Sequence, residues 1–226
     1  MLTVILGAGK GLGRHLATTL AYRCETLVLS GRSLPGLEET ASMVHECCPT
    51  TTTIVKAVDL TLPSSLEVYI RQLGDLRMPL RAFITTAAGF YKGAFKDQSA
   101  ESVHELVASN YVGVVALVSG LIRLLDVARP LDIINVTSLS AATNLDPGRS
   151  SALHIASKAA LQVFDAVVGR ELSTEGIRVT SLAPGTFARS GRSGISEQTL
   201  ARCVEFLLDL PPDAWIESLA IRPLTL

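Results

Sequence analysis

The apolar run Leu2–Leu6 is followed without a break by Gly7-Ala8-Gly9-Lys10-Gly11-Leu12-Gly13, and then by Arg14-His15-Leu16-Ala17-Thr18-Thr19-Leu20. Glycines this dense are costly inside a strand or a helix, and they tolerate backbone conformations that other residues avoid. The segment therefore reads as a strand, a tight turn and a helix near 11–22. The pattern then repeats down the chain. Apolar, β-branched runs stand at 26–29, 53–58, 82–85, 132–136, 178–182 and 215–221. Helix-like stretches lie near 34–47, 63–73, 99–127, 151–174 and 197–209, with Pro130 and Pro211-Pro212 at element ends. Strands that are apolar along their whole length, spaced by helices, imply a parallel sheet covered on both faces. Right-handed crossovers make it doubly wound. The expected fold class is α/β, with a sheet of seven strands and helices on both faces.

A chain of 226 residues with 48% hydrophobic and 18% charged residues fills one domain, taken as 1–226, and is not disordered. A net charge of −1 without a basic run argues against nucleic acid as a partner. No membrane span is expected, because the most apolar stretch, 112–128, carries Arg123 and Asp126 and reads as a buried helix. The N-terminus has neither the charged region nor the cleavage site of a signal peptide. Cys24, Cys47, Cys48 and Cys203 form no C-x-x-C pair and no zinc set with histidine. They point to reduced thiols, a cytoplasmic location and no metal.

A glycine turn between strand and helix suits a pyrophosphate, since backbone N–H groups and the helix N-terminus face the anion. The end of the second strand tests which dinucleotide. It reads Leu29-Ser30-Gly31-Arg32-Ser33, without the carboxylate that would bind a ribose 2′-hydroxyl. Arg32 and Lys10 are instead two cations for a 2′-phosphate, so the expected cofactor is NADP(H).

In order and spacing, several further motifs resemble those of the short-chain dehydrogenase/reductase family over nearly the whole chain. They are Gly7-x-x-x-Gly11-x-Gly13, Asp59-Leu60, Thr86-Ala87-Ala88-Gly89, Asn110, the run ending in Ser138, Ser157-Lys158 and Pro184-Gly185. The resemblance implies a Rossmann-type sheet and an oxidoreductase acting on a carbonyl or alcohol. It implies that Gly7, Gly9, Lys10, Gly11, Leu12 and Gly13 cradle the pyrophosphate, with Asp59 and Leu60 at the adenine. Ala88 and Gly89 would line the ribose side. Lys158 would hold the nicotinamide ribose, and Pro184, Gly185 and Thr186 would edge the nicotinamide. Ser138 would bond the substrate oxygen, and Asn110 would hold a relay water. The chain departs from the family at Leu6, at Thr86-Ala87, at Arg189 and in a turn-like insert over 144–149.

The largest departure is at the acid/base. Residues 154–158 read His-Ile-Ala-Ser-Lys where the family has Tyr-x-x-x-Lys, and no tyrosine follows Tyr111. Histidine titrates near neutrality without tuning, at about 6.5. Like charge on Lys158 disfavours imidazolium, making His154 a better base or neutral donor than a strong acid. The alternative is a catalytically silent, NADP-binding relative serving as a regulatory partner, or one repurposed as a non-redox isomerase or dehydratase. A serine hydrolase is disfavoured because Ser138 lies in no G-x-S-x-G elbow. His15, His45 and His104 lack metal-ligand spacing, and Tyr91 stands where it could contact substrate or pack.

The stretch 186–196 is too short for a helical substrate lid and predicts a minimal, open one, where Arg189 and Arg192 could meet an acidic group. Helices near 103–127 and 151–170 are apolar on more than one face and need covering on more than one face. In the family such helices pair between subunits, which implies a homodimer or homotetramer.

Overall fold

The structure, a computed structural model, describes residues 1–90, 95–124, 127–142, 151–188 and 193–224. Its frame is one sheet of seven strands, in the order β3-β2-β1-β4-β5-β6-β7, with every neighbouring pair parallel. The strands are β1 Leu2–Leu6, β2 Thr26–Gly31, β3 Thr52–Ala57, β4 Leu80–Thr85, β5 Val127–Val136, β6 Ile177–Pro184 and β7 Ser218–Ile221. All five residues of β1 and all eight of β6 are buried, as strands covered on both faces require.

The helices are α1 Gly11–Leu20, α2 Leu34–Cys47, α3 Pro63–Gly74, α4 Ala100–Val107, α5 Gly113–Leu124, α6 Leu139–Ala142, α7 Ala152–Leu172 and α8 Glu197–Leu208. Serine starts four of them: the hydroxyls of Ser33, Ser99, Ser151 and Ser196 accept from Gly36, Ser102, His154 and Thr199 N–H. Each such cap is worth about 1 kcal/mol. One core packs α1, α2 and α8 against the sheet through Leu16, Leu37 and Val204. The opposite core packs α3, α5 and α7 through Tyr69, Leu117 and Leu161.

Several elements differ from the reading of the sequence. The expected helix over 99–127 is α4 and α5 joined by one wide π-turn, Ala108–Val112, with α5 described to Leu124 and Val127 already in β5. The strand expected from 132 begins at Val127 and contains Pro130, which does not sit at an element end. Leu80 pairs with Val127 while Ala82 pairs with Asp132, so the ladder skips past the proline, which has no N–H to donate. The strand expected from 215 starts only at Ser218, because Trp215 uses its ring N–H, 3.0 Å from Val179 O, and packs on Gly169. The run Ala100–Arg123 is long and apolar enough to cross a membrane by length and composition alone, but half of its most apolar window is buried inside the fold.

Candidate active site

The chain runs from β1 outward to β3 on one side, then returns to β4 and continues outward to β7 on the other. The crevice above the carboxyl ends of β1 and β4 is therefore the topological switch point, where open parallel sheets bind ligands. A cleft of about 550 Å³ lies there, lined by the glycine loop, residues 31–33, residues 58–60 and residues 86–89.

The loop is built by close approach. Gly7 has φ +92°, and a Cβ there would lie 2.6 Å from Thr86 Oγ1. A Cβ on Gly13 would lie 2.2 Å from Gly7 O. Unlike the four serine-capped helices, α1 has no side-chain cap and no acid in its first turn. Its first N–H groups are thereby left for an anion in the cleft. Two residues that sequence reasoning missed turn the loop carbonyls away. Thr40 Oγ1 donates to Ala8 O at 2.9 Å, and Arg14 Nη2 donates to Gly9 O at 2.7 Å. Arg14 is itself held by Glu39. Nothing local in the sequence signals this clamp, since α2 supplies half of it.

Gly31, not Ser30, faces the cleft at the end of β2. Ser30 is wholly buried, with Oγ 2.6 Å from Tyr69 OH, whereas Gly31 and the exposed Arg32 line the opening. Lys10 is exposed across from them in the same lining. Arg32 lies 3.4 Å from Glu105 of α4, an exposed pair that a phosphate could displace at little cost. Asp59 Oδ1 accepts from both Thr61 N and Thr61 Oγ1. Burial alone would raise this carboxyl, but the Thr61 hydrogen bonds and the nearby Arg32 charge leave it below its ordinary value.

At the other end of the crevice, the π-turn swings Asn110 fully inward. Its side chain clamps Gly89, accepting from Gly89 N at 2.6 Å and donating to Gly89 O at 3.1 Å, and it also donates to Ser157 Oγ. The same Gly89 carbonyl lies 3.2 Å from His154 Nδ1. A carbonyl oxygen only accepts, so Nδ1 carries the ring proton and Nε2 keeps the lone pair. Burial lowers the His154 pKa from its ordinary value. The Gly89 contact opposes that shift, and the charge of Lys158 adds to it. The Phe90 ring meets His154 edge-on at 5.3 Å between centroids.

Lys158 is 2% exposed, and its Nζ donates to Val136 O at 2.8 Å. Burial pushes its pKa down to about 8, against an opposing pull from Asp165. Ser138, at the end of β5, accepts from Ser140 N at 3.3 Å, and among the described residues no hydrogen bond joins it to His154 or Lys158. The short helix α6 that follows it was not expected from the sequence. Pro184 ends β6 buried, Gly185 N donates to Ile221 O, and Thr186 is exposed. The short lid is tied at its base: Phe187 bridges to Ile195, and Ile195 N donates to Thr186 O. The structure thus joins Gly89, Asn110, His154 and Ser157 in one network. Ser138, Lys158 and residues 184–186 lie beyond the lining of the nucleotide cleft. Tyr91, Arg189, Arg192 and the 144–149 insert lie outside the described residues.

Comparison with known proteins is consistent with this architecture. The chain is 25% identical to an uncharacterized oxidoreductase of Staphylococcus epidermidis RP62A, over 97% of this chain and 96% of that protein. An uncharacterized oxidoreductase of Staphylococcus aureus MRSA252 is 23% identical, over 98% and 96%. Among solved structures, a short chain dehydrogenase from Burkholderia cenocepacia J2315 in complex with NADP superposes with a TM-score of 0.84 at 17% identity, covering 97% of this chain and 96% of that one. A metagenomic short-chain oxidoreductase in complex with NADP also gives 0.84, at 21% identity, covering 99% and 98%. The family model for short chain dehydrogenases matches residues 2–199, and the chain belongs to that oxidoreductase family.

Proposed function

We propose that this protein is an NADP(H)-dependent oxidoreductase interconverting a small-molecule alcohol and its carbonyl, with His154 moving the proton that tyrosine moves in its relatives. The observation that carries the reading is the His154 Nδ1 contact with Gly89 O, which leaves Nε2 as a lone-pair base. The residues of the cleft fit a phosphorylated dinucleotide. The uncapped N-terminus of α1 and the loop shaped by Gly7 and Gly13 would hold the pyrophosphate. Lys10 and Arg32, with glycine at 31, suit a 2′-phosphate, and Asp59 and Leu60 line the adenine side. Two of the related structures contain NADP.

When bound, the nicotinamide supplies the hydride acceptor or donor. The chain's own part is the proton and the geometry. Neutral His154 takes the hydroxyl proton during oxidation, and its imidazolium form returns it during reduction. Asn110 fixes Gly89, and Gly89 fixes the ring. Lys158 would hold the nicotinamide ribose, Ser138 the substrate oxygen, and Pro184, Gly185 and Thr186 the edge of the nicotinamide.

A neutral buried imidazole could also abstract a proton without hydride transfer, so a repurposed isomerase or dehydratase is the second reading. NADPH absorbance separates the two. Formation with alcohols and decay with carbonyls support the oxidoreductase. Tight NADPH binding without either, across a broad panel, overturns it.

We also infer self-association. Val112, Val163 and Val167 are 53–65% exposed on the π-turn and α7, a face a second copy would cover. Four unpaired cysteine thiols suit a reducing compartment such as the cytoplasm.

A further inference from the structure

We propose that Asp165 is the buried counter-charge of Lys158, a positioning residue that keeps the lysine cationic beneath the active site. Asp165 lies seven residues after Lys158 on α7, two turns on, so both face the sheet. Two consecutive residues of β5 hold the two groups. Val136 O accepts from Lys158 Nζ at 2.8 Å, and Asn135 Nδ2 donates to Asp165 Oδ1 at 2.6 Å. Asn135 is fixed in turn by Thr85 Oγ1 of β4, at 2.8 Å. Asp165 is wholly buried, Lys158 nearly so, and among the described residues Asp165 Oδ2 has no hydrogen-bond partner. Ser181 of β6 approaches the same carboxyl, with its Oγ engaged by Thr137 Oγ1.

A buried ammonium with a carbonyl partner is solvated but not neutralised, and a buried carboxylate oxygen with no donor is poorly satisfied. The two defects cancel if the groups neutralise each other across the dry interior, where charges interact beyond hydrogen-bond range. Among the described residues, the other charged groups of the elements packed against α7 are exposed or paired. From α4, His104 and Glu105 are exposed, and Glu105 pairs with Arg32. From β6, Arg178 is committed to Asp132. Tyr111 of the π-turn packs in the apolar core, and Glu175 beyond α7 is exposed. His154, one turn before Lys158, adds only positive charge when protonated. Burial pushes the Asp165 carboxyl up and the Lys158 ammonium down, and attraction between them opposes both shifts.

The consequence for catalysis rests on the function proposed above, but the charge coupling is read without turnover. The chain has five lysines, so selective ¹³C labelling of lysine resolves Lys158, assigned by its loss in Lys158→Met. Asp165→Asn keeps an oxygen for Asn135 and removes the charge. The Lys158 midpoint should then fall by at least about one pH unit, and the alkaline limb of any pH–rate profile should move with it. An unchanged Lys158 midpoint in a folded Asp165→Asn protein overturns the proposal and leaves Asp165 as a support for Asn135. Should that variant not fold, ¹³C-aspartate titration of Lys158→Met decides. A raised Asp165 midpoint supports the pairing, and an unmoved one overturns it.

Discussion

His154 Nδ1 lies 3.2 Å from Gly89 O, and Asn110 Nδ2 donates to that same oxygen at 3.1 Å. One main-chain carbonyl thus holds both the His154 ring and the Asn110 amide. Burial, with Lys158 adding to it, places the His154 pKa below 6.5. As a base, His154 works when neutral, so kcat/KM for alcohol oxidation should rise with pH through an inflection below 6.5 and then level off. Reduction needs the imidazolium and should fall over the same interval. Loss of charge on Lys158 should bring activity down again near pH 8. Profiles of both directions on the same substrate pair check the signs.

Removing the clamp should loosen the ring without emptying the nucleotide cleft. Asn110→Ala takes four hydrogen bonds from a fully buried position. The cost to stability is about 1–3 kcal/mol, measurable by denaturant unfolding. Turnover should fall more than NADPH affinity, which fluorescence titration reports.

A substitution at Gly31, which lines the cleft, tests the proposed preference for NADP(H). A Cβ there meets nothing nearer than Leu37 Cδ2 at 3.8 Å, so Gly31→Asp is sterically mild. A carboxylate at 31 would repel a 2′-phosphate and accept from a 2′-hydroxyl. NADPH should bind at least about tenfold more weakly, a loss of 1.4 kcal/mol or more, with NADH gaining. Calorimetric titration of both cofactors measures the exchange.

At the amino-terminal end of β6, among interior strands of the sheet, Asp132 receives two hydrogen bonds from Arg178 and a further contact from Arg81. Asp132 and Arg178 are only 4% and 5% exposed. Asp132→Ala strands Arg178 and should cost about 3–5 kcal/mol. The distance from the crevice predicts unchanged KM in whatever fraction stays folded, so a lower Tm with normal KM is the expected pair of results.

Much of the frame was legible because its signals are local. Leu2–Leu6 and 178–182 are continuous apolar runs, and Gly7–Gly13 forms a turn by composition alone. What stayed hidden depends on partners distant in sequence. Arg14 reads as a helix-surface charge until α2 brings Glu39 and Thr40 to it. Ser30 and Gly31 look equivalent until strand alternation turns one toward Tyr69. Asn110 sits in a segment of unbroken helical periodicity, and only the π-turn reveals why it points inward. Asp165 looks like an ordinary polar helix position, because its burial is set by β5 and β6.

His154 is proposed to carry the proton in an NADP(H)-linked reaction. The direct measurement is the rate of NADPH formation by wild type and His154→Phe with the best alcohol found, alongside the NADPH dissociation constant of each. A fall in kcat of about 10²-fold or more is expected, with NADPH affinity unchanged. Equal kcat in the two proteins would contradict it.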